Sequence, residues 1–236
     1  MEKREANQKR KGQEQRMSNR PMMNRRPRPK KQAQQREKTK FNFKLFGKWD
    51  SNIIVNDGGL KNYINLDARF LPRSAGTRRG RFHKSKMHIV ERLALSMMVP
   101  GHQGRRHRLT SGRFGGGYST VMNNIEQALE IIEKKENKNP IEVLVNAIIN
   151  AAPREEIISY QLGSITAREA VVTAPQRRID KTLRIFAQNS YRKSFNKKKK
   201  IYEVLAEELI AASKGSSDSV AIKERERIER EAVGAR

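Results

Sequence analysis

The chain contains no cysteine. Disulfides and thiolate metal sites are therefore excluded, and nothing favours an oxidising compartment. No apolar run approaches the ~18 residues of a membrane span, and the N-terminus has no apolar stretch of the secretory kind, so no membrane partner is expected. Residues 1–40 have no aromatic residue and no β-branched residue except Thr39. Acid is scarce: 25 Asp+Glu stand against 51 Lys+Arg in 236 residues, a net charge of +26. Recognisable catalytic patterns are missing as well. There is no Ser/His/Asp motif, no carboxylate pair beside a glycine-rich site and no nucleotide fingerprint, so an enzyme, an RNA-modifying one included, is not expected and no cofactor is implied. Gly115-Gly116-Gly117 is not followed by the Gly-Lys-Ser/Thr that a phosphate loop needs. All four histidines fall between residues 83 and 107, where Glu91 is the only carboxylate. Their neighbours are Arg and Lys, which repel a dication, so these read as basic-surface histidines rather than metal ligands.

What is present is basic charge in blocks. Residues 1–40 hold 15 basic and 4 acidic groups, residues 69–119 hold 12 and 1, and residues 168–200 hold 11 and 2. Between and after them, residues 41–68 hold 3 and 3, residues 120–167 hold 4 and 7, and residues 201–236 hold 6 and 8. Such charge destabilises a compact free monomer and suits a chain that lives against a polyanion. Apolar content of 36% suffices for one core of modest size.

Residues 1–40 cannot bury enough apolar surface to offset chain entropy, so a disordered basic arm is expected, of the kind that orders on RNA. Residues 41–86 read as an N-terminal extension. An aromatic cluster (Phe41, Phe43, Leu45, Phe46, Trp49) is assigned to a core, Ile53–Val55 to a short strand, and residues 72–86 to a basic loop. From residue 87 to 236 the pattern is a helical domain. Helices are expected at Met87–Val99, with Lys84, His88 and Arg92 on the side away from the core, and at Thr120–Lys135. Between them lies a Gly-rich basic loop containing Arg105 and Arg106. Another helix follows at Asn139–Ala152, capped by Asn139 with Pro140 in the first turn and Glu142 closing a capping box. Its wide apolar set suggests a central position. Helices are also expected at Ile201–Ser213, with Leu205, Leu209 and Ala212 inward, and in a last, highly charged segment. That segment would be capped by Ser217 or Asp218 and stay exposed or lean on RNA.

The stretch from Pro153 to Phe195 organises the rest. Ile157–Leu162 and Ile165–Thr173 are rich in β-branched residues, and Gly163-Ser164 between them fits a tight hairpin turn. Pro175 ends the second strand, and a helix follows from about Gln176. At 100° per residue, Ile179, Leu183, Phe186 and Ser190 share one face, while Arg177, Lys181, Arg184, Gln188 and Arg192 share the other. That cationic face is compatible with a solvated surface and with one neutralised by phosphates. Lys193 and the run Lys197–Lys200 continue the charge.

Several stretches then resemble one family in order: Asn139–Ile148, Ala152–Glu156, the Gly163-Ser164 hairpin, Ala174–Asp180, Ala206–Ala212 and Ser219–Glu224. The family is the ribosomal one known as small-subunit protein seven in bacteria and protein five in eukaryotes. Lys44–Trp49 and Tyr63–Leu66 resemble its archaeal and eukaryotic branch, and the likeness runs from about Lys44 to Arg236. It implies a mainly α fold: a bundle of about six helices with an extended β-hairpin at about 157–173, plus the basic N-terminal extension. It implies a cytoplasmic ribosomal protein, not a homo-oligomer. Such a protein is a primary binder of small-subunit (16S) rRNA that nucleates assembly of the head, beside neighbouring head proteins, exit-site tRNA and emerging mRNA. Carried over by position, the rRNA contacts are Lys84, Lys86, Arg92, Arg168, Arg177, Arg178, Lys181 and Arg184. To these the basic segments add Arg105, Arg106, Arg192, Lys193, Lys197 and Lys198. The first hairpin strand departs from the bacterial pattern, having no basic residue between Ile157 and Leu162. Tyr160, Gly163 and Ser164 are instead the candidates for base, tRNA or mRNA contact there. The alternative reading is a sequence-specific DNA-binding protein with the helix after Pro175 as recognition helix. The long basic loops argue against it, because they look like segments that order on an irregular RNA surface.

Overall fold

The computed structural model describes residues 43–74, 76, 79–80, 82–100 and 115–236. The arm of residues 1–40 and the loop carrying Arg105 and Arg106 lie outside the described residues. Within them the fold is mainly helical: α1 (Ile89–Met98), α2 (Tyr118–Glu136), α3 (Pro140–Ala151), α4 (Pro175–Ser194), α5 (Ile201–Ser213) and α6 (Val220–Val233). Between α3 and α4 runs an antiparallel pair, β1 (Glu155–Leu162) and β2 (Ile165–Val172).

The helical periodicities translate directly into burial. Val121, Ile125, Leu129 and Ile132 of α2 are buried, as are Ile179, Leu183, Phe186 and Ser190 of α4 and Leu205, Leu209 and Ala212 of α5. Helix α3 buries eight residues, among them Ile141, Leu144, Val145 and Ile148, and packs against α2, α4, α5 and α6. Helix α5 closes the other side, touching α2, α3, α4 and α6. Asn139 caps α3 by accepting from the Ile141 N–H at 3.0 Å, while its own amide donates to the Asp50 carbonyl at 2.8 Å. Glu142 does not reach back to close a box. Half of that motif appears at α5 instead, where the Lys200 N–H donates to the Glu203 carboxylate at 3.1 Å, while the lysine side chain has no acceptor to complete it.

The extension before α1 joins the same core through Leu45, Trp49, Val55, Leu60 and Ile64. Leu45 and Trp49 bridge each other across a tight loop that is stapled to α2: the Trp49 indole donates to Glu133 at 3.0 Å and Lys48 pairs with Glu126 at 2.7 Å. Ile53–Val55 is not a strand. Its backbone finds no neighbouring strand to pair with, the Ile53 N–H turns back to the Ser51 carbonyl, and Ile54 is 83% exposed.

Two polar faces are covered where the periodicity had left them open. Helix α1 buries Glu91 and Arg92 as well as its apolar set, because the segment before it wraps over the polar side. Ser74 donates to Glu91 at 2.7 Å through its N–H, and the Tyr63 carbonyl accepts from Arg92 at 2.9 Å. His88 is likewise buried rather than on a basic surface, and it caps α1: its Nδ1 accepts from the Val90 N–H at 3.2 Å. The last helix, α6, is no exposed rod. It buries Ala221, Ile222, Ile228 and Ala232 on one face. Its cap is Ser219, neither Ser217 nor Asp218. The Ser219 hydroxyl accepts from the Ala221 N–H and donates to the buried Glu208 carboxylate at 2.7 Å. Glu208 also accepts from Asn189 and Lys193, so one carboxylate ties α4, α5 and α6 together.

Candidate nucleic-acid interface

Helix α4 begins on Pro175, which loses nothing at a position whose N–H would be unpaired anyway. Its apolar stripe faces the core, so the opposite stripe must face outward. Arg177, Arg184 and Arg192 are exposed there and Lys181 is partly so. Beyond the helix, Lys197–Lys200 are all exposed, next to Tyr191 and Phe195, whose rings sit 5.8 Å apart.

These cations fall into two groups. Arg184, Lys197 and Lys198, together with Lys86 and Arg168, are exposed and have no ion-pair partner among the described residues. Lys84, Arg92, Arg177, Arg178, Lys181, Lys193 and Lys199 are held by carboxylates of the same chain. Asp180 accepts from Lys84 at 2.9 Å and from Arg92 at 2.8 Å. Arg178 pairs with Asp57 at 3.4 Å and is 13% exposed. Lys193 pairs with Glu208 at 3.2 Å. Glu156 of β1 takes both Arg177 and Lys181, the latter at 3.1 Å. Burial alone would raise the Glu156 pKa, but the hydrogen bonds from Arg177 and Lys181 outweigh it and hold the carboxyl below its ordinary 4.5. Arg92 is thus a fully buried structural cation, which corrects its placement on an outward face. Its guanidinium ties α1 to α4 through Asp180 and to the Tyr63 carbonyl, and with its side chain 0% exposed it presents no surface to a phosphate in this arrangement.

The hairpin presents two different faces. Gly163 has φ +61 and Ser164 does not share the positive φ, the pattern of a type II′ turn between Leu162 and Ile165. Period two puts Ile158, Tyr160, Leu162 and their partners Glu169, Ala167 and Ile165 on one side. Ser159 and Gln161, opposite Arg168 and Thr166, lie on the other. Tyr160 is 43% exposed, and Arg168 lines a cleft of about 470 Å³ with Ile157, Glu231 and Arg236. Arg105 and Arg106 lie outside the described residues.

Sequence reasoning overlooked Glu155 and Glu156, Arg225 and Arg236. Arg225 donates to the Asn150 carbonyl and Arg236 pairs with Glu155. The one available signal was two adjacent glutamates opening a strand just before a strongly basic helix. Among the described residues, no cluster of His, Asp and Glu suits a metal ion, and no helix is long and apolar enough to cross a membrane.

Comparison with known proteins adds an independent line. Residues 60–236 match the family described as "Ribosomal protein S7p/S5e". The small ribosomal subunit protein uS7 of Nanoarchaeum equitans is 42% identical over 195 residues, spanning 82% of this chain and 98% of that protein. The uS7 of Archaeoglobus fulgidus is 40% identical over 200 residues, 84% of this chain and 97% of its own length. The uS7 of Methanothrix thermoacetophila is 40% identical over 195 residues, 82% of this chain and all of its own.

Proposed function

The chain belongs to the ribosomal protein S7p/S5e family, and from that premise we propose that it is a structural, non-catalytic constituent of the small ribosomal subunit that binds small-subunit rRNA. The observation that carries the reading is the unpaired cationic strip formed by Arg184 on α4 and Lys197 and Lys198 in the linker after it, with Lys86 and Arg168 as further free cations. Phosphates need cations that no internal acid already holds. Arg177, Lys181 and Lys84 join when RNA displaces their carboxylates, and Arg192 lies on the same stripe. Contacts of this kind set orientation on the RNA, while shape is read by what projects between its helices. The projecting part is the hairpin. Its polar face carries Arg168 toward phosphates, and its tip, Tyr160 with Gly163 and Ser164, faces exit-site tRNA and emerging mRNA. In this reading the protein is a primary binder that nucleates the head, sits beside neighbouring head proteins in the cytoplasmic ribosome, and acts as a single copy. The names of the relatives give the DNA-binding alternative no support.

The test is a salt titration of binding to a transcript of the small-subunit head rRNA domain, against duplex DNA of equal length. Binding to the transcript stays much tighter than to DNA as salt rises, because shape is read beyond phosphate attraction. Equal affinities with equal slopes would reduce the protein to a general polyanion binder.

A further inference from the structure

Glu155 and Glu156 are adjacent on β1, so the strand's period of two sends their side chains to opposite faces of the hairpin. Each is caught by cations from a different helix. Glu155 pairs with Arg236, just beyond α6. Glu156, only 12% exposed, is gripped by Arg177 and Lys181, which lie one turn apart on α4. These contacts sit where the hairpin leaves the body. Thr173 donates to the Arg154 carbonyl at 2.9 Å, and the Arg154 N–H donates to Glu229 at 3.0 Å. From Ile158 to Thr166 the residues are exposed, and among the described residues α6 is the only helix that packs substantially on the two strands. A two-stranded hairpin has little rigidity of its own. Its direction is therefore decided at its base, by α6 on one side and by Glu156 on the other.

We propose that Glu156 is a positioning residue that determines specificity: it fixes the hairpin against α4 and, in the same contact, withholds Arg177 and Lys181 from non-specific polyanions. The inference rests on the rRNA-binding reading above. A polyanion of arbitrary shape meets two cations that share one largely buried carboxylate, so that half of their charge is already cancelled. An RNA whose shape accepts the hairpin in its fixed direction gains contacts on both elements and can draw the two cations onto phosphate. The first bridge, Arg236 to Glu155, is more exposed and contributes less, as surface pairs do.

The absence of cysteine makes the geometry directly measurable. Spin labels on Ser164→Cys at the hairpin turn and Lys134→Cys on α2 report the hairpin's direction by electron–electron distance measurement in the free protein. The parent gives one narrow distribution and Glu156→Gln a broad one. Glu156→Lys is also broad, and adding Arg177→Glu narrows it again by restoring the pair with reversed sign and a glutamate beside Lys181. A narrow distribution in Glu156→Gln, or a swap that stays broad while circular dichroism reports an intact fold, would overturn the proposal. Binding supplies the second arm. Glu156→Gln binds poly-U more tightly and the head rRNA transcript less tightly, so the ratio of affinities falls by about tenfold or more, the scale of one or two phosphate contacts. An unchanged ratio would overturn the specificity role. If the parent itself shows no preference for the transcript, the rRNA reading fails, and the distance measurement still decides whether Glu156 positions the hairpin.

Discussion

Protonating His88 at Nδ1 would remove the acceptor that caps α1, because that nitrogen takes the Val90 N–H. Burial first, and the charge of Arg69 second, lower its pKa from 6.5 to about 4, with Asp67 acting in the opposite direction. The unfolded chain therefore takes up a proton near pH 6.5 while the folded chain resists until about pH 4. Stability falls as pH drops through that window. At ~1.4 kcal/mol per pH unit the loss from this one group is on the order of 3 kcal/mol. His88→Asn keeps a cap acceptor without a titrating ring, so urea unfolding at pH 7 and pH 4.5 should give the variant a smaller loss than the parent. Equal losses would mean that the histidine is not the group responsible. Arg92 makes the companion case. Asp180→Ala leaves its buried guanidinium without an acid and is expected to destabilise the fold by roughly 3–5 kcal/mol, the cost of breaking rather than replacing a buried pair. Denaturant titration reads that directly. A loss below about 1 kcal/mol would show the pair to be worth no more than a surface bridge.

At the level of elements, the free cations and the held ones should behave differently. Arg184→Gln, Lys197→Gln and Lys198→Gln together are expected to leave stability within about 0.5 kcal/mol of the parent, since surface changes away from packed features cost little. The same triple change should lower the slope of log K against log salt for rRNA by about 2–3, nearly one unit for each lost phosphate contact. An unaltered slope would move the interface elsewhere. Ser219→Ala removes the cap of α6 and a donor to buried Glu208, at a cost of about 1–2 kcal/mol. Amide exchange should then accelerate first in α6. This is also the scale on which sequence reading succeeds or stops. The stripes of α2, α4 and α5, the Gly163 turn and the Asn139 cap were visible because each depends on residues within a few positions. The covered face of α1, the docking of α6 and the pairing of Arg92 with Asp180 depend on residues tens of positions away. Periodicity reports which side of a helix is apolar, but not which loop comes back to cover the polar side. The cationic stripe of α4 was legible as a stripe. That Asp57, Asp180 and Glu156 had already claimed half of its neighbourhood was not.

For the whole molecule, +26 in 236 residues is a standing load on the folded state. Screening should relieve it. The thermal midpoint of the free protein is expected to rise between about 0.02 and 0.3 M salt, as the Debye length shrinks from roughly 20 Å to below 10 Å. Binding to rRNA weakens over the same range. Calorimetry on the free chain separates the two effects, and a midpoint that falls with salt would mean that internal ion pairs outweigh the self-repulsion.

Helix α5 is the piece on which α2, α3 and α4 all converge, and it runs from Ile201 to Ser213. On a chain made from its N-terminus, α2, α3 and α4 emerge before their common neighbour exists. Their apolar faces stay open to water and to other nascent chains until residue 213 has cleared the tunnel. A nascent chain halted before residue 201 is therefore expected to aggregate more readily than one halted after the C-terminus, because only the latter carries α5.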